Sequence, residues 1–314
     1  MNSIETRYGT LGPVDHVSAA PDGTVLSCVP AAPLTIRTPL GTLVAQHTTD
    51  DLRRPKVEPL EFHPDGTLRT IALETQTVVP TPLGPMAAEL LTFYPGGELR
   101  RVFPLNGKLS GYWSEKEEVT LTAPMRIPTP AGDVEALIVG VQFHPGGALR
   151  SLTLWPGHSV EIDTPVGRQR ARVGMAFHPD GALRSFEPAS MIEVQSPIGA
   201  LAAFDPHALG IHGDENSLCF HPDGSLAGLS TPRDTVTVTL PDGQVRRFAP
   251  TMVPNLCDER VQDIQALRIC FHPGTVALGD DSRDAFPLEG HGFALGRLLQ
   301  NLFAPISYAC DICG

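Results

Sequence analysis

Hydrophobic and polar residues alternate along short segments of this chain, and turn residues separate these segments at regular intervals. The alternation is clear in VEIDTP at 160–165 and in VTVTLP at 236–241, and it predicts strands with one buried face. GDVEALIVGVQFHP at 132–145 carries aliphatic residues at both parities and no strong turn signal, which predicts one long strand. We therefore expect an all-β fold, in which 14 or more strands form a long antiparallel meander.

One segment near the C-terminus departs from this pattern. In GFALGRLLQNLFAP, the residues from Ala294 to Phe303 have a helical distribution of apolar positions, and Pro305 would end the helix. The sequence therefore predicts one short C-terminal helix.

A first kind of turn recurs along the chain. Proline presets the backbone for a type I turn, and the glycine that closes the motif supplies the left-handed residue of a bulged hairpin. In that geometry Phe62 faces Leu68 across the hairpin as an apolar pair, and the same pair is predicted at Phe93/Leu99, Phe143/Leu149, Phe177/Leu183 and Phe220/Leu226. The copies are FHPDG at 62–66, 177–181 and 220–224, FYPGG at 93–97, FHPGG at 143–147, FHPG at 271–274 and a degenerate APDG at 20–23.

A second kind of turn alternates strictly with the first. Its copies are TPLG at 38–41 and 81–84, TPAG at 129–132, TPVG at 164–167, SPIG at 196–199 and LPDG at 240–243. The shortest unit with one turn of each kind is about 31–35 residues long, and loop insertions explain the longer ones. This predicts a continuous hairpin array over residues 1–280 and a C-terminal extension over 281–314 with the short helix and a CxxC tail.

The residues after each first turn break the simple alternation. In Leu149-Arg150-Ser151-Leu152 the apolar residues are three apart, which implies a β-bulge or burial on both faces. A flat single layer is therefore not expected, and the sheet should coil or fold over itself.

Composition and charge narrow the class of protein. The 30 glycines and 31 prolines lie among aliphatic segments, so they indicate many turns and not disorder. The N-terminus lacks the features of a signal peptide, and no apolar window is long enough to span a membrane, so we expect a cytoplasmic protein with no membrane partner. The net charge of −12 argues against general nucleic-acid binding.

FYPGGELRRVFPLNGKLSGYW at 93–113 resembles the variant MORN repeat of bacterial hairpin-repeat proteins. The other copies keep the PDGxL half and replace the Gly-x-Trp half with TPxG. The resemblance implies stacked antiparallel hairpins and a role in interaction or assembly, and it transfers no catalytic residue.

FHPDGALRS also resembles the FSPDGxxLAS hairpin of WD-repeat propellers, so a β-propeller is the alternative fold. A propeller blade needs four strands in about 40–45 residues, however, and the short legs of 13–15 residues leave little room for them.

The side chains at two repeated positions are candidate binding groups. Equivalent positions of successive copies lie two strands apart, at about 9–10 Å, which is too far for adjacent histidines to share one zinc ion. The histidines are expected to cover the turn and bond to its backbone or aspartate, and the arginines share their outward parity, so together they could meet an anionic or acidic partner. The alternative is a solvated rim that protects the sheet edge. These residues are His63, His144, His178, His221 and His272, with Arg69, Arg100, Arg150 and Arg184.

The cysteines give a second candidate site. Cys310 and Cys313 have the C-x-x-C spacing of half a zinc site or of a thiol-redox motif, and Cys257 and Cys270 could complete a set of four ligands. An isolated CxxC is weak evidence, and incidental cysteines are the simpler interpretation. Zinc is the only cofactor that the sequence suggests.

Known catalytic motifs give no further lead, because the chain contains no P-loop, GxGxxG, HExxH or GxSxG pattern. The leading hypothesis is a non-enzymatic β-repeat scaffold that presents an extended surface to a protein or polymeric partner. The alternative is a zinc-binding or thiol-redox protein that uses the C-terminal CxxC.

Overall fold

The protein is almost entirely β. The computed structural model describes residues 2–47, 53–54, 59–107, 114–208, 213–214, 216–255, 258, 260–279 and 284–298. These residues form 28 strands, one short helix, α1 (Glu115–Glu118), and a 3₁₀ turn at Val119–Leu121, which confirms the all-β prediction. Within the described ranges, no helix is long and apolar enough to cross a membrane.

The chain divides into two compact units. Unit 1 comprises Met1–Thr129 and Asp133–Trp155, and unit 2 comprises Pro130–Gly132 and Pro156–Gly314. The strands of unit 1 are β1 (Asn2–Thr6), β2 (Gly9–Ala19), β3 (Val25–Pro30), β4 (Leu34–Thr38), β5 (Gly41–Ala45), β6 (Leu60–Phe62), β7 (Leu68–Thr81), β8 (Gly84–Phe93), β9 (Leu99–Phe103), β10 (Met125–Ile127), β11 (Val134–Ala136), β12 (Ile138–Phe143) and β13 (Leu149–Leu154).

Unit 2 continues the same kind of hairpin. Its strands are β14 (Ser159–Thr164), β15 (Gly167–Phe177), β16 (Leu183–Pro188), β17 (Ile192–Ser196), β18 (Gly199–Ala203), β19 (Leu218–Phe220), β20 (Leu226–Thr231), β21 (Asp234–Thr239), β22 (Val245–Phe248), β23 (Thr251–Pro254), β24 (Gln262–Gln265), β25 (Leu267–His272), β26 (Thr275–Leu278), β27 (Ala285–Pro287) and β28 (Gly292–Arg297).

Each unit contains one antiparallel sheet made of the first-turn hairpins, which we call its first-turn sheet. In unit 1 the order is β2, β3, β6, β7, β8, β9, β12 and β13. In unit 2 it is β14, β15, β16, β19, β20, β25, β26 and β27. The strands of each first-turn sheet pair in one continuous series and are not divided into separate four-stranded blades. The propeller alternative is therefore wrong.

The first turn has the predicted geometry. In the copy at 62–66, the Gly66 N–H donates to the His63 carbonyl at 2.8 Å, and the His63 N–H donates to the Thr67 carbonyl at 2.8 Å. Gly66 has a φ of 77°, the left-handed conformation that glycine adopts without steric cost. The Asp65 side chain also accepts the Thr67 N–H at 2.9 Å, which completes an Asx-type turn.

All five predicted apolar pairs across the first turn are confirmed. Phe62 faces Leu68, and the equivalent residues face each other in the copies that begin at Phe93, Phe143, Phe177 and Phe220. The register shifts by one residue next to each pair, so the predicted β-bulge is present. The bulge keeps Leu149 and Leu152 on one face, where they are 6% and 0% exposed, although they are three residues apart.

The second turn is held by a hydroxyl group. The Thr81 hydroxyl donates to the Gly84 carbonyl at 2.6 Å, and the Leu83 N–H donates back to the same hydroxyl at 3.2 Å. The same pair of bonds occurs at the copies that begin at Thr38, Thr164 and Ser196. It also occurs at Thr6-Arg7-Tyr8-Gly9, which the sequence analysis missed because proline is replaced by arginine.

The turn LPDG at 240–243 was predicted to be of the second kind, and its hydrogen bonds show that this is wrong. The Leu240 N–H donates to the Gln244 carbonyl, and the Gly243 N–H donates to the Leu240 carbonyl, so this turn has the bonds of the first kind. The reason is its Asp-Gly pair, since the Asp242 carboxylate accepts the Gln244 N–H at 2.9 Å. The residues Pro-Asp-Gly therefore decide the turn type, whatever the position in the alternation.

The second turns lie close to first turns of the same unit. A β-carbon placed on Gly147 of a first turn would lie 3.1 Å from Pro82 of a second turn in unit 1. In unit 2, β-carbons placed on Gly181 and Gly224 would lie 3.6 Å from Pro130 and Pro165. The strands that flank the second turns bury alternate residues, such as Ile36 on β4 and Ile162 on β14, each 1% exposed.

The predicted C-terminal helix is wrong over the residues that the structure describes. Ala294 to Arg297 lie in β28, which pairs with β21 from Asp234↔Arg297 to Thr239↔Gly292. Phe293 and Leu295 alternate with exposed residues, and β21 offers a free edge, so strand pairing overrides the helical spacing. The rest of the predicted helix, 299–303, lies outside the described residues.

The two glycines of the turn at 93–97 allow a direct test of the left-handed position. Gly97 has a φ of 84°, so Gly97→Ala is expected to lower the free energy of unfolding by about 1–2 kcal/mol, as measured by denaturant titration. Gly96 occupies the position of the aspartate and has no left-handed φ, so Gly96→Ala should change it by less than about 0.5 kcal/mol. Equal losses in both variants would contradict this account of the turn.

Candidate functional site

The repeated histidines connect one hairpin to the next. Nε2 of His63 lies 3.0 Å from the Phe93 carbonyl oxygen, and Tyr94 at the next copy donates its hydroxyl to the Phe143 carbonyl at 2.8 Å. In unit 2, Nε2 of His178 lies 3.0 Å from the Phe220 carbonyl oxygen, and Nε2 of His221 lies 3.1 Å from that of Phe271. A carbonyl only accepts, so each of these rings carries its proton on Nε2.

These bonds give the histidines a structural role. They were expected to bond within their own turn, but the acceptor is the backbone of the following copy. His144 is also engaged in a contact, whereas His272, in the last copy, is exposed. His63, His178 and His221 therefore join successive hairpins through their rings.

The four candidate arginines occupy the bulge that follows the first turn. Arg69 is 58% exposed and lies 3.9 Å from the Glu61 carboxylate. The Arg100 guanidinium lies over the Tyr94 ring, 5.7 Å from its centroid. Arg150 is half-buried and already engaged, and Arg184 donates to the Asp214 carbonyl at 2.8 Å. The bulge thus presents an arginine at the same position of four hairpins, each in a different electrostatic setting.

Cys270 lies beside Arg268, on the first-turn sheet of unit 2. On the first-turn sheet of unit 2, Cys219 faces Gly228, which faces Cys270 on the next strand. Nη2 of Arg268 donates to Sγ of Cys219 at 3.4 Å. Burial raises the pKa of the Cys219 thiol despite this cation, so the thiol stays protonated and unreactive near neutral pH.

The described residues contain no group of three or more histidine, cysteine or acidic side chains that could hold a metal ion. Cys257, Cys310 and Cys313 lie outside the described residues. The zinc or redox tail therefore stays a prediction.

No family model, curated protein or solved structure matches this chain. The resemblance to MORN repeats therefore also stays a prediction, and the side chains themselves must carry the functional argument.

A buried charge cluster in unit 1 was missed by the sequence analysis. Arg53 donates to both carboxylate oxygens of Glu89 at 2.8 Å, and Nη2 of Arg54 lies 3.4 Å from the same carboxylate. Burial opposes the ionisation of Glu89, but hydrogen bonds from Arg53 and the Asn106 N–H outweigh it and hold its pKa below the usual range. Burial raises the pKa of Glu118, although Arg53 lies 3.7 Å away.

A second buried carboxylate lies in unit 2. Glu187 is fully buried, and it accepts the Ser217 N–H at 2.8 Å and the Asp205 N–H at 3.2 Å. Nη2 of Arg172 lies 3.5 Å away. Burial raises the pKa of Glu187 to about 7, although these donors and the arginine favour the charged form.

Both carboxylates share a structural role. Glu89 bonds to Asn106 in the insertion after β9, and Glu187 bonds to residues on either side of the insertion between β18 and β19. The available sequence signal was a glutamate inside an apolar strand, as in AAELLTF at 87–93, since lone acidic residues are rarely buried without a partner. These groups hold loops, and each already has a cationic partner.

The hydrogen bond between copies can be tested by Tyr94→Phe, which removes the hydroxyl and keeps the ring. It leaves the Phe143 carbonyl without this donor, so the free energy of unfolding should fall by about 0.5–1.5 kcal/mol, as measured by denaturant titration. His272→Phe, at the exposed last copy, should change it by less than about 0.5 kcal/mol. A Tyr94→Phe variant as stable as the wild type would contradict the structural role of this bond.

Glu187 should impose a pH dependence on stability. Because its pKa is higher in the folded state than in the unfolded chain, the folded state holds the proton more tightly, and stability is greatest below about pH 4.5. As the pH rises from about 4.5 to 7, about 3 kcal/mol should be lost at 1.36 kcal/mol per pKa unit.

Unfolding titrations across this pH range should show the loss in the wild type and not in Glu187→Gln. The exposed Glu193 on β17 provides the control, since Glu193→Gln should keep the wild-type profile. A Glu187→Gln profile that matches the wild type would contradict the assignment.

Proposed function

We propose that this protein is a non-enzymatic β-repeat scaffold that presents an extended surface to a protein or polymeric partner. The observation that carries the proposal is the arginine of the bulge, which recurs at the same place in successive hairpins. In unit 1, Arg69, Arg100 and Arg150 belong to β7, β9 and β13, which are each two strands apart. Two strand spacings are about 9–10 Å, so this row offers a cation at a regular interval.

The rest of the repeat supports a binding role over a catalytic one. Three of the repeated histidines, which would be natural acid–base groups, bond between copies, and the buried carboxylates Glu89 and Glu187 face Arg53 and Arg172. The side chains that a partner would meet are the bulge arginines and the polar outer residues of the second-turn hairpins.

The charge of the row favours an acidic partner. The whole chain has a net charge of −12, so a local row of arginines would orient a negatively charged surface toward these hairpins and away from the rest. The contact should weaken with salt, because the arginines are partly exposed.

Affinity capture from extracts of the native host tests the proposal. The wild-type chain should retain a specific acidic partner that the triple variant Arg69→Gln/Arg100→Gln/Arg150→Gln loses, and the captured amount should fall as salt is raised. Circular dichroism would establish that the variant keeps its β structure.

Two exposed arginines outside the row, one in each unit, provide the control. Arg126 and Arg168 are 75% and 70% exposed and lie near Asp133 and Glu161, so Arg126→Gln/Arg168→Gln should still capture the partner. Equal capture by the triple variant and the wild type would overturn the proposal.

A further inference from the structure

Three adjacent strands of unit 1 carry hydrogen-bond donors on the face of the sheet opposite the Phe–Leu pairs. Thr92 on β8 faces Arg101 on β9, which faces Gln142 on β12, so these side chains lie on one face. Leu99 and Val102 point into the core, at 8% and 0% exposed. The bulge between them therefore turns both Arg100 and Arg101 toward Thr92 and Gln142.

The orientation of the Gln142 amide follows from its neighbour. Oε1 of Gln142 accepts hydrogen bonds from Nε of Arg101 at 2.9 Å and from Nη2 at 2.6 Å. Only the amide oxygen can accept, so these two bonds leave Nε2 on the other side. Gln142 is 3% exposed, and its Nε2 is buried without a hydrogen-bond partner.

Two further groups on this face of the sheet are in the same condition, because they are buried and lack a hydrogen-bond partner. They are Oγ1 of Thr92 and Nε of Arg100. Among the described residues, no carboxylate pairs with Arg100, whose guanidinium instead lies over the Tyr94 ring. Arg69, at the same bulge position one hairpin earlier, is 58% exposed and lies near Glu61.

We infer that Arg100 and Gln142, on the adjacent strands β9 and β12, form a binding site for an oxyanion, that is, for a carboxylate or a phosphate group. Buried polar groups in folded proteins are almost always satisfied, and here both unsatisfied groups are N–H donors that need an acceptor. A guanidinium and an amide are donors suited to carboxylate and phosphate oxygens, and the two arginines attract an anion. The nearby Glu98 carboxylate is directed to the Gly146 N–H, at 3.3 Å.

The site goes beyond the proposed scaffold role, because its ligand is one anionic group and it can be filled without a partner protein. Inorganic phosphate and acetate are the two probes, each titrated calorimetrically into the intact chain at constant ionic strength. The wild type should bind at least one of them, and the tighter of the two identifies the source of the oxyanion.

Gln142→Glu is the sharpest variant. A glutamate keeps an acceptor for Arg101, so the fold should be retained, but it removes both amide donors and adds a negative charge. The dissociation constant should rise at least tenfold.

Arg126→Met is the matched control, because it removes an exposed arginine of the same unit that lies outside the bulge row, and it should bind like the wild type. Absence of binding to the wild type by both probes would overturn the site, as would equal binding by Gln142→Glu and the wild type. Either result would leave the capture of an acidic partner by the scaffold as a separate question, since that assay does not depend on phosphate or acetate.

Discussion

The Phe–Leu pair across each first turn can face the core only because a left-handed glycine closes the turn and a bulge follows it. Gly66, with a φ of 77°, lets three residues reverse the chain, and the extra residue of the bulge brings Leu68 and Ile71 to one face, at 2% and 0% exposed. Without the bulge, residues three apart would lie on opposite faces of a strand. The same constraint turns the bulge arginine outward, so the core and the candidate binding row have one structural cause.

Contacts between neighbouring hairpins connect the copies into units. The histidine or tyrosine of one first turn bonds to the carbonyl of the phenylalanine that begins the next copy, as from His63 to Phe93, and second-turn prolines lie over first-turn glycines, as Pro82 does over Gly147. Stability that depends on neighbouring copies is typical of repeat proteins. The edge strand β27 has three residues and ends in the exposed Pro287, and a short strand with a proline resists pairing with other chains.

The buried charges lie where the repeat is interrupted. Arg53 and Glu89 hold the insertion of unit 1, and Arg172 and Glu187 hold that of unit 2. A buried ion pair is a weak source of stability, because desolvation offsets much of the attraction, but losing one partner leaves a costly charge. These pairs therefore secure the position of a loop that lacks strand neighbours. The repeats themselves are held in position by backbone hydrogen bonds and apolar contacts.

The sequence by itself determined the all-β class, the first-turn geometry, the Phe–Leu pairs and the bulge, because each follows from residues less than ten positions apart. Tertiary structure decided the rest. The acceptor of His63 lies 30 residues away, the partners of Glu89 lie 36 and 17 residues away, and β28 became a strand because β21 offered it an edge. Arg100 and Gln142 share a face only because the sheet places β9 and β12 side by side. Local patterns determine how a chain turns, whereas strand order determines which distant side chains share a face.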